Sequence, residues 1–328
     1  MDSNQYPFDP SYGYSLEQLL EIKVQNEPKD FDLFWQLRYQ KALELDPVLQ
    51  TKIISENSFG WRVFEISYKS AGDFLIRGWL LLPMLGEVKR GFIVGHGYGG
   101  RDGPDFHFPF NDAALFFPCF RGLAQSAAPF ISSDPYWHVL HDINDKDRYI
   151  IGGCVEDLWL AVSALLTLFP HLAGSLGYMG ISFGGGIGAL ALACETRISK
   201  AHLNVPTFGY QSLRLKLATN GSANSVQKYY LTHKKQVLTV LRYFDAAFAA
   251  KRIKIPMHCA CAIFDPCVAP PGQFAIFNAL SCEKYLFVLE AGHHQYSHQQ
   301  QQDSALMLEL VTFFDSLSSR HPQIELYV

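Results

Sequence analysis

The stretch "LGYMGISFGGGIG", residues 176–188, sets six glycines around one serine, Ser182. Gly180, Ser182 and Gly184 satisfy the spacing G-x-S-x-G, in which a serine stands on a sharp turn between a strand and a helix. Such a turn accepts only neighbours with little or no side chain, so glycines and serine read as one device. That device presents a nucleophile. A glycine-rich helix start capped by a serine is the competing reading of the same residues.

Outward from this turn, short apolar runs at 91–95, 113–120, 175–180, 199–205, 256–263 and 284–289 alternate with helical stretches that include 149–168, 184–196 and 299–317. Continuous apolar strands alternating with helices predict a mostly parallel sheet covered on both faces, an α/β architecture. Ligands bind beyond the carboxyl ends of strands in such sheets, so every loop after a β-run is a place to search. Upstream, "WRVFEISYK" and "FLIRGWLLLP" flank the turn residues "SAGD" and predict an antiparallel pair. Residues 16–45 carry helical periodicity, which predicts an N-terminal helical extension over 1–50. Residues 206–252 are helical in character and predict an insertion or lid. The whole chain, 1–328, reads as one α/β domain.

Composition narrows the partners. With 27 Lys and Arg against 31 Asp and Glu, the net charge is −4, and no basic run tracks a phosphate backbone. Nucleic acid is therefore not an expected partner. The N-terminus, "MDSNQYPFDPSYGYSLEQ", lacks a basic segment followed by an apolar one, and no uninterrupted apolar run reaches the ~20 residues that cross a bilayer. The expected locale is the cytoplasm, with no membrane partner. Cys119, Cys154, Cys194, Cys259, Cys261, Cys267 and Cys282 are odd in number and sit mostly in apolar stretches, as buried free thiols do in a reducing compartment. Cys259 and Cys261 point the same way along a strand, but the paired C-x-x-C sets of a zinc site are absent.

A serine hydroxyl becomes a nucleophile at neutral pH only when a base takes its proton and a third group holds the base. The run "IPMHCACAIF" ends in Asp265, with Pro266 halting the strand, and "KYLFVLEAG" leads to His293. Serine, acid, histidine, each on a loop after a strand, is the order of the α/β-hydrolase fold. Asp265 alone would read as a turn residue before proline. Asp245 and Glu290 are other acids, one inside the helical insertion and one in the last β-run. His293, His294 and His298 could also form a surface cluster or a weak metal site. Donors for the oxyanion come from backbone N–H groups: Phe183, after the nucleophile, and Tyr98 in the early glycine loop "GHGYGG" at 95–100. His96 in that loop is a buried polar residue or a second base. The scheme needs no metal or organic cofactor.

The segments "KDFDLFWQ", "IRGWLLLP", "GYGGRDGP", "FRG", "DINDKDRYIIGGCVEDLWLAV", "GISFGGGIGALALA", "YFDAAFAAKRIKIP", "DPCVAPPGQFAIFNAL" and "GHH" stand in an order that resembles the acetyl xylan esterase and cephalosporin C deacetylase family, carbohydrate esterase family 7. The resemblance spans nearly the whole chain. It implies a cytoplasmic esterase that removes small acyl groups, mainly acetyl, from sugar hydroxyls, and a homo-oligomer, dimer or hexamer. Family roles fall on Ser182, Asp265 and His293, with Tyr98 and Phe183 at the oxyanion positions. Three residues depart from the family pattern: Phe183 stands where glutamine is usual, Leu123 where R-G-Q is usual, and His294 where glutamate commonly follows the histidine. Residues 124–136 are shorter than the family's segment, which contributes to subunit contacts. A non-catalytic ligand-binding homologue, or a thioesterase or peptidase using the same triad, are the alternative readings.

Overall fold

A computed structural model of the chain describes residues 5–317. The outermost parts of the single-domain expectation, residues 1–4 and 318–328, lie outside the described residues. The strands are β1 (Gln50–Ser58), β2 (Trp61–Ser70), β3 (Phe74–Pro83), β4 (Arg90–Gly95), β5 (Ala113–Pro118), β6 (Leu176–Ile181), β7 (Lys200–Asn204), β8 (Met257–Ala262) and β9 (Lys284–Leu289). They form one sheet in the order β1-β2-β3-β5-β4-β6-β7-β8-β9. β1, β2 and β3 pair antiparallel, β3 pairs antiparallel with β5, and the pairs from β5 to β9 are parallel. β4, β5 and β8 are buried along their whole length, and β6 up to its last residue, which is why they read as continuous apolar runs.

The helices are α1 (Leu16–Leu20), α2 (Phe31–Leu43), α3 (Pro135–His138), α4 (Ile150–Leu168), α5 (Phe183–Leu192), α6 (Gln211–Arg214), α7 (Ala223–Leu241), α8 (Ala246–Ala250), α9 (Pro270–Ala279) and α10 (Gln299–Asp315). α4 is apolar nearly all round, with Trp159, Leu160 and Val162 fully buried, and it packs against α5 and α2. By length and composition it could cross a bilayer, but 78% of its most apolar window is buried inside the protein, the signature of a core helix. A separate apolar cluster on the opposite side of the sheet gathers Phe92, Phe110 and Phe117 with Leu310, Phe313 and Phe314 of α10.

The N-terminal boundary and the ends of several elements differ from the sequence reading; α5, for example, runs Phe183–Leu192 and not to residue 196. The N-terminal extension is two helices joined by a non-helical link, and its last residue, Gln50, already starts β1. β1 shows no alternation because it is an edge strand exposed on both faces, with Lys52 and Glu56 on its flank. The connection from β4 to β5, residues 96–112, crosses between parallel neighbours without any helix. Such crossovers usually carry one. Among the described residues, α10 and the loop pack on the sheet face beneath them through Leu306, Leu310, Phe313, Phe314 and Phe110.

Candidate active site

Ser182 occupies the junction between β6 and α5 with φ 53° and ψ −107°, a conformation that costs an L-residue on the order of 1–3 kcal/mol. Neighbouring backbone holds it there. The Ser182 N–H donates to the Asn204 carbonyl at 2.8 Å, and its own carbonyl accepts from Gly186 at 3.0 Å and Thr207 at 3.1 Å. The flanking glycines are required by close approach. A Cβ on Gly180 would lie 2.6 Å from the Gly184 carbonyl oxygen, and one on Gly184 would lie 2.6 Å from the Gly95 carbonyl carbon.

Loops after β6, β8 and β9 bring three side chains into one line. His293 Nε2 lies 2.9 Å from Ser182 Oγ, and His293 Nδ1 lies 2.8 Å from Asp265 Oδ2. His293 is backed by a carboxylate that is 0% exposed, while its own imidazole is 26% exposed. Asp265 does not float: Oδ1 accepts from the Cys267 and Val268 N–H groups at 2.8 and 2.9 Å, and Oδ2 also accepts from Gln273 Nε2 at 3.0 Å. Gln273 is fully buried and returns its carbonyl to the Ala262 N–H at 2.8 Å, tying the acid loop to β8. From the other side, the Asp265 N–H donates to the Pro10 carbonyl at 3.0 Å, so the N-terminal segment clamps this loop. Burial works to depress the His293 pKa, but attraction and hydrogen bonding to Asp265 outweigh it and the net shift is upward.

The glycine loop after β4 lies against the start of α5. His96 is buried: its Nε2 accepts from the Phe120 N–H at 3.0 Å, so Nδ1 carries the proton and donates to the Gly97 carbonyl at 2.7 Å. Burial lowers its pKa to about 3. His96 is therefore a neutral strut for the loop, with both ring nitrogens engaged by backbone. The Tyr98 and Phe183 N–H groups find no backbone acceptor among the described residues and are free to donate. Their side chains pack together with ring centroids 4.1 Å apart. The Tyr98 hydroxyl donates to His138 Nδ1 at 2.9 Å, and His138 Nε2 donates to the Arg121 carbonyl at 2.9 Å. Arg121 is fixed by Asp157, which takes its N–H at 2.9 Å and its guanidinium at 2.7 Å from the middle of α4. Burial lowers the His138 pKa to about 4, which keeps Nδ1 an acceptor.

The residues that depart from the resemblance find structural roles. Phe183 fills an aromatic box with His96, Tyr98, Phe120, His138 and Phe208. Leu123 is buried in the core. His294 turns away from Ser182, accepts from the Tyr6 hydroxyl at 2.9 Å and packs on Phe264. His298 pairs instead with Glu290 at 3.2 Å, so the three histidines do not converge. Among the described residues no group of three or more His, Cys, Asp or Glu side chains is arranged to hold a metal. Asp245 caps α8 and accepts N–H groups from Tyr210, Gln211 and Ala247, far from the line of three. Of the seven free cysteines, Cys119, Cys154, Cys259 and Cys261 are buried and the other three half-buried. Sequence reasoning did not single out Gln273, His138 or Asp157. Their signal is a polar side chain inside an otherwise apolar segment.

A cavity of about 380 Å³ opens above Ser182 and His293, bounded by Tyr98, Tyr136, Thr207 and Val268. A strained serine and a carboxylate-backed imidazole at hydrogen-bond distance, with Tyr98 bordering the same small cavity, suit acyl transfer.

Comparison with known proteins agrees. Acetyl xylan esterase from Paenibacillus sp. R4 superposes with a TM-score of 0.78 at 20% identity, covering 90% of this chain and 99% of that one. Acetyl Xylan Esterase 1 from Thermoanaerobacterium sp. JW/SL YS485 gives 0.78 at 23% identity, covering 92% and 99%. An acylaminoacyl peptidase from Pyrococcus horikoshii gives 0.60 at 15% identity, covering 83% of this chain and 42% of that one. At these identities the likenesses establish the α/β-hydrolase fold. The profile described as "Acetyl xylan esterase (AXE1)" matches residues 11–310. The chain therefore belongs to the acetyl xylan esterase family and is a carboxylic ester hydrolase.

Proposed function

We propose that this esterase removes acetyl groups from sugar hydroxyls through an acyl-enzyme on Ser182. Ser182 Oγ attacks the ester carbonyl carbon while His293 Nε2 takes its proton, and Asp265 holds the imidazole tautomer and stabilises its charged form. The Tyr98 and Phe183 N–H groups receive the developing oxyanion; one such donor is worth roughly 3–4 kcal/mol. The tetrahedral intermediate collapses, the bond to the alcohol oxygen breaks, and His293 returns the proton to that oxygen. Water then attacks acetyl-Ser182, losing its proton to His293; the bond to Ser182 Oγ breaks, His293 returns the proton to Oγ, and the acetic acid released ionises to acetate.

The observation that carries this reading is the 2.9 and 2.8 Å line from Ser182 through His293 to Asp265, opening on a cavity of about 380 Å³. Seven unpaired thiols support a reducing, cytoplasmic setting. The same resemblance supports a homo-oligomer and activity on acetylated cephalosporins, and light scattering and acetate release from cephalosporin C check these. The principal test compares 4-nitrophenyl acetate, butyrate and octanoate with acetylated xylose. Acetate release from the sugar and a preference for the acetyl ester are expected; a preference for octanoate overturns the short-acyl reading.

A further inference from the structure

The family profile matches residues 11–310, so the first described residues, 5–10, stand outside it. They reach the active site all the same. Asp9 organises the segment: its carboxylate accepts from the Ser11 and Gly13 N–H groups at 2.9 and 3.2 Å, and its carbonyl accepts from the Tyr12 N–H at 2.9 Å. This turn buries Pro10 and brings its carbonyl to the Asp265 N–H. The chain that follows is anchored twice. The Tyr12 hydroxyl donates to the Ala218 carbonyl at 2.6 Å, beside the residues from Asn220 to Ser222 that border the catalytic cavity. Asn278 of α9 donates through Nδ2 to the Leu19 and Ile22 carbonyls at 2.9 and 3.1 Å.

Tyr6 makes the contact with the most consequence. Its ring centroid lies 6.1 Å from that of Phe264 and 5.8 Å from that of His294, and those two rings are themselves 5.2 Å apart. Its hydroxyl donates to His294 Nδ1 at 2.9 Å. Phe264 immediately precedes Asp265, and His294 immediately follows His293. One side chain thus ties the residue before the acid to the residue after the base.

His293 needs that tie. Its φ of 47° is in the left-handed region, which a residue with a side chain keeps only where its surroundings over-determine it. Upstream, the Gly292 N–H donates to the Phe264 carbonyl at 2.9 Å, and a Cβ on Gly292 would lie 2.4 Å from Asp265 Oδ2, so the chain is already pressed on the acid loop there. Downstream, Tyr6 supplies the hold. We propose that Tyr6 is a positioning residue for the reaction: through Phe264 and His294 it keeps the loops after β8 and β9 at the separation where His293 meets Asp265. The departure at His294 then has a reason, since an imidazole gives Tyr6 both an acceptor and a ring face. The inference rests on the acyl-enzyme reading above.

The residues that border the catalytic cavity include neither Tyr6 nor Phe264 nor His294, so a loosened tie should act on rate and not on substrate binding. The test measures kcat and KM on 4-nitrophenyl acetate for the wild type, Tyr6→Phe, Tyr6→Ala, His294→Leu and Tyr6→Phe/His294→Leu. Each value is normalised to the Ser182 sites that a serine-directed organophosphate labels at completion, so that unfolded protein is not counted. Tyr6→Ala is expected to lower kcat about tenfold with KM within twofold, because both halves of the reaction use His293 and a base held off line loses rate. Tyr6→Phe keeps the ring and is expected to lose about threefold, a partial rescue of the alanine variant. The double variant is expected to be no slower than His294→Leu alone, since that substitution already removes the acceptor. A kcat within twofold of wild type in Tyr6→Ala, or in Tyr6→Phe should Tyr6→Ala not fold, overturns the inference and leaves the acyl-enzyme reading standing. So does a loss carried by KM, or additive losses in the double variant. A wild type that turns over the ester but takes no adduct on Ser182 overturns both.

Discussion

The two sides of the loop after β4 are built to opposite ends. Toward α5, Tyr98 is fixed by a ring contact, a hydrogen bond to His138 and a carboxylate-anchored Arg121. Toward α10, the same loop continues for more than ten residues without helix and stands over a chamber of about 970 Å³. One side determines where two N–H groups point; the other leaves room. The contrast teaches that one connection can hold backbone rigidly against one neighbour and leave open space beside another. Perturbing the α5 side should reduce kcat for every ester, because the groups it fixes stand beside Ser182.

The largest break on the fixed side comes from the acid. Asp265→Asn is expected to lower kcat on 4-nitrophenyl acetate by on the order of 10⁴-fold, since the buried tautomer is no longer held. Loss of activity on the acid side should also move. With Asp265 in place, the raised His293 pKa puts loss of the free base above the ordinary histidine value of 6.5 as pH falls. Without the carboxylate only burial acts, so residual activity should persist to lower pH. A pH–rate profile whose acid limb does not shift would detach Asp265 from the imidazole.

A smaller effect sharpens the comparison. Tyr98→Phe removes only the hydroxyl, while His138→Ala removes its acceptor together with the bond to the Arg121 carbonyl and a wall of the aromatic box; each should lower kcat by about tenfold or more with KM within twofold, through loss of aim at the oxyanion. The double variant should be no worse than His138→Ala alone, because that substitution already breaks the link that Tyr98→Phe removes. Additive losses would mean that the contact does not orient Tyr98.

The smallest effect is on stability. Burial depresses the pKa of His96 to about 3 and of His138 to about 4, against 6.5 in the unfolded chain. The unfolded state therefore binds these protons first, and stability falls as pH drops from about 6.5 toward 4, by roughly 1.4 kcal/mol per pH unit for each histidine. His293 has the opposite sign: its stabilisation is present at low pH and lost as pH rises through its raised pKa. Urea unfolding of His138→Gln between pH 6 and 4 should show a slope smaller by about one proton; an unchanged slope would place His138 in contact with water.

Much of this contrast was legible in the chain, unevenly. The inner parallel strands were readable because burial on both faces makes them continuous apolar runs, as in "GFIVG" and "AALFFP". β1 was not, since an edge strand exposed on both sides carries no periodic signal. The geometry at Ser182 was readable because a strained turn admits only glycines beside it. The supports were not: Asp157 is 36 residues from Arg121, and His138 is 40 from Tyr98. Residue type announces that a buried polar group needs a partner, but only the packed helices say which one. The chamber was least legible of all, because it arises from a helix that a crossover usually contains and this one lacks.

The central claim is that Ser182 is the nucleophile of an acyl transfer. The most direct measurement is intact mass and peptide mapping after treatment with a serine-directed organophosphate, for the wild type and Ser182→Ala, beside their turnover of 4-nitrophenyl acetate. The account predicts one adduct per chain, on Ser182, with turnover abolished by the reagent and by the substitution alike. A wild type that turns over the ester but carries no adduct on Ser182, or a Ser182→Ala variant that retains wild-type turnover, would contradict it.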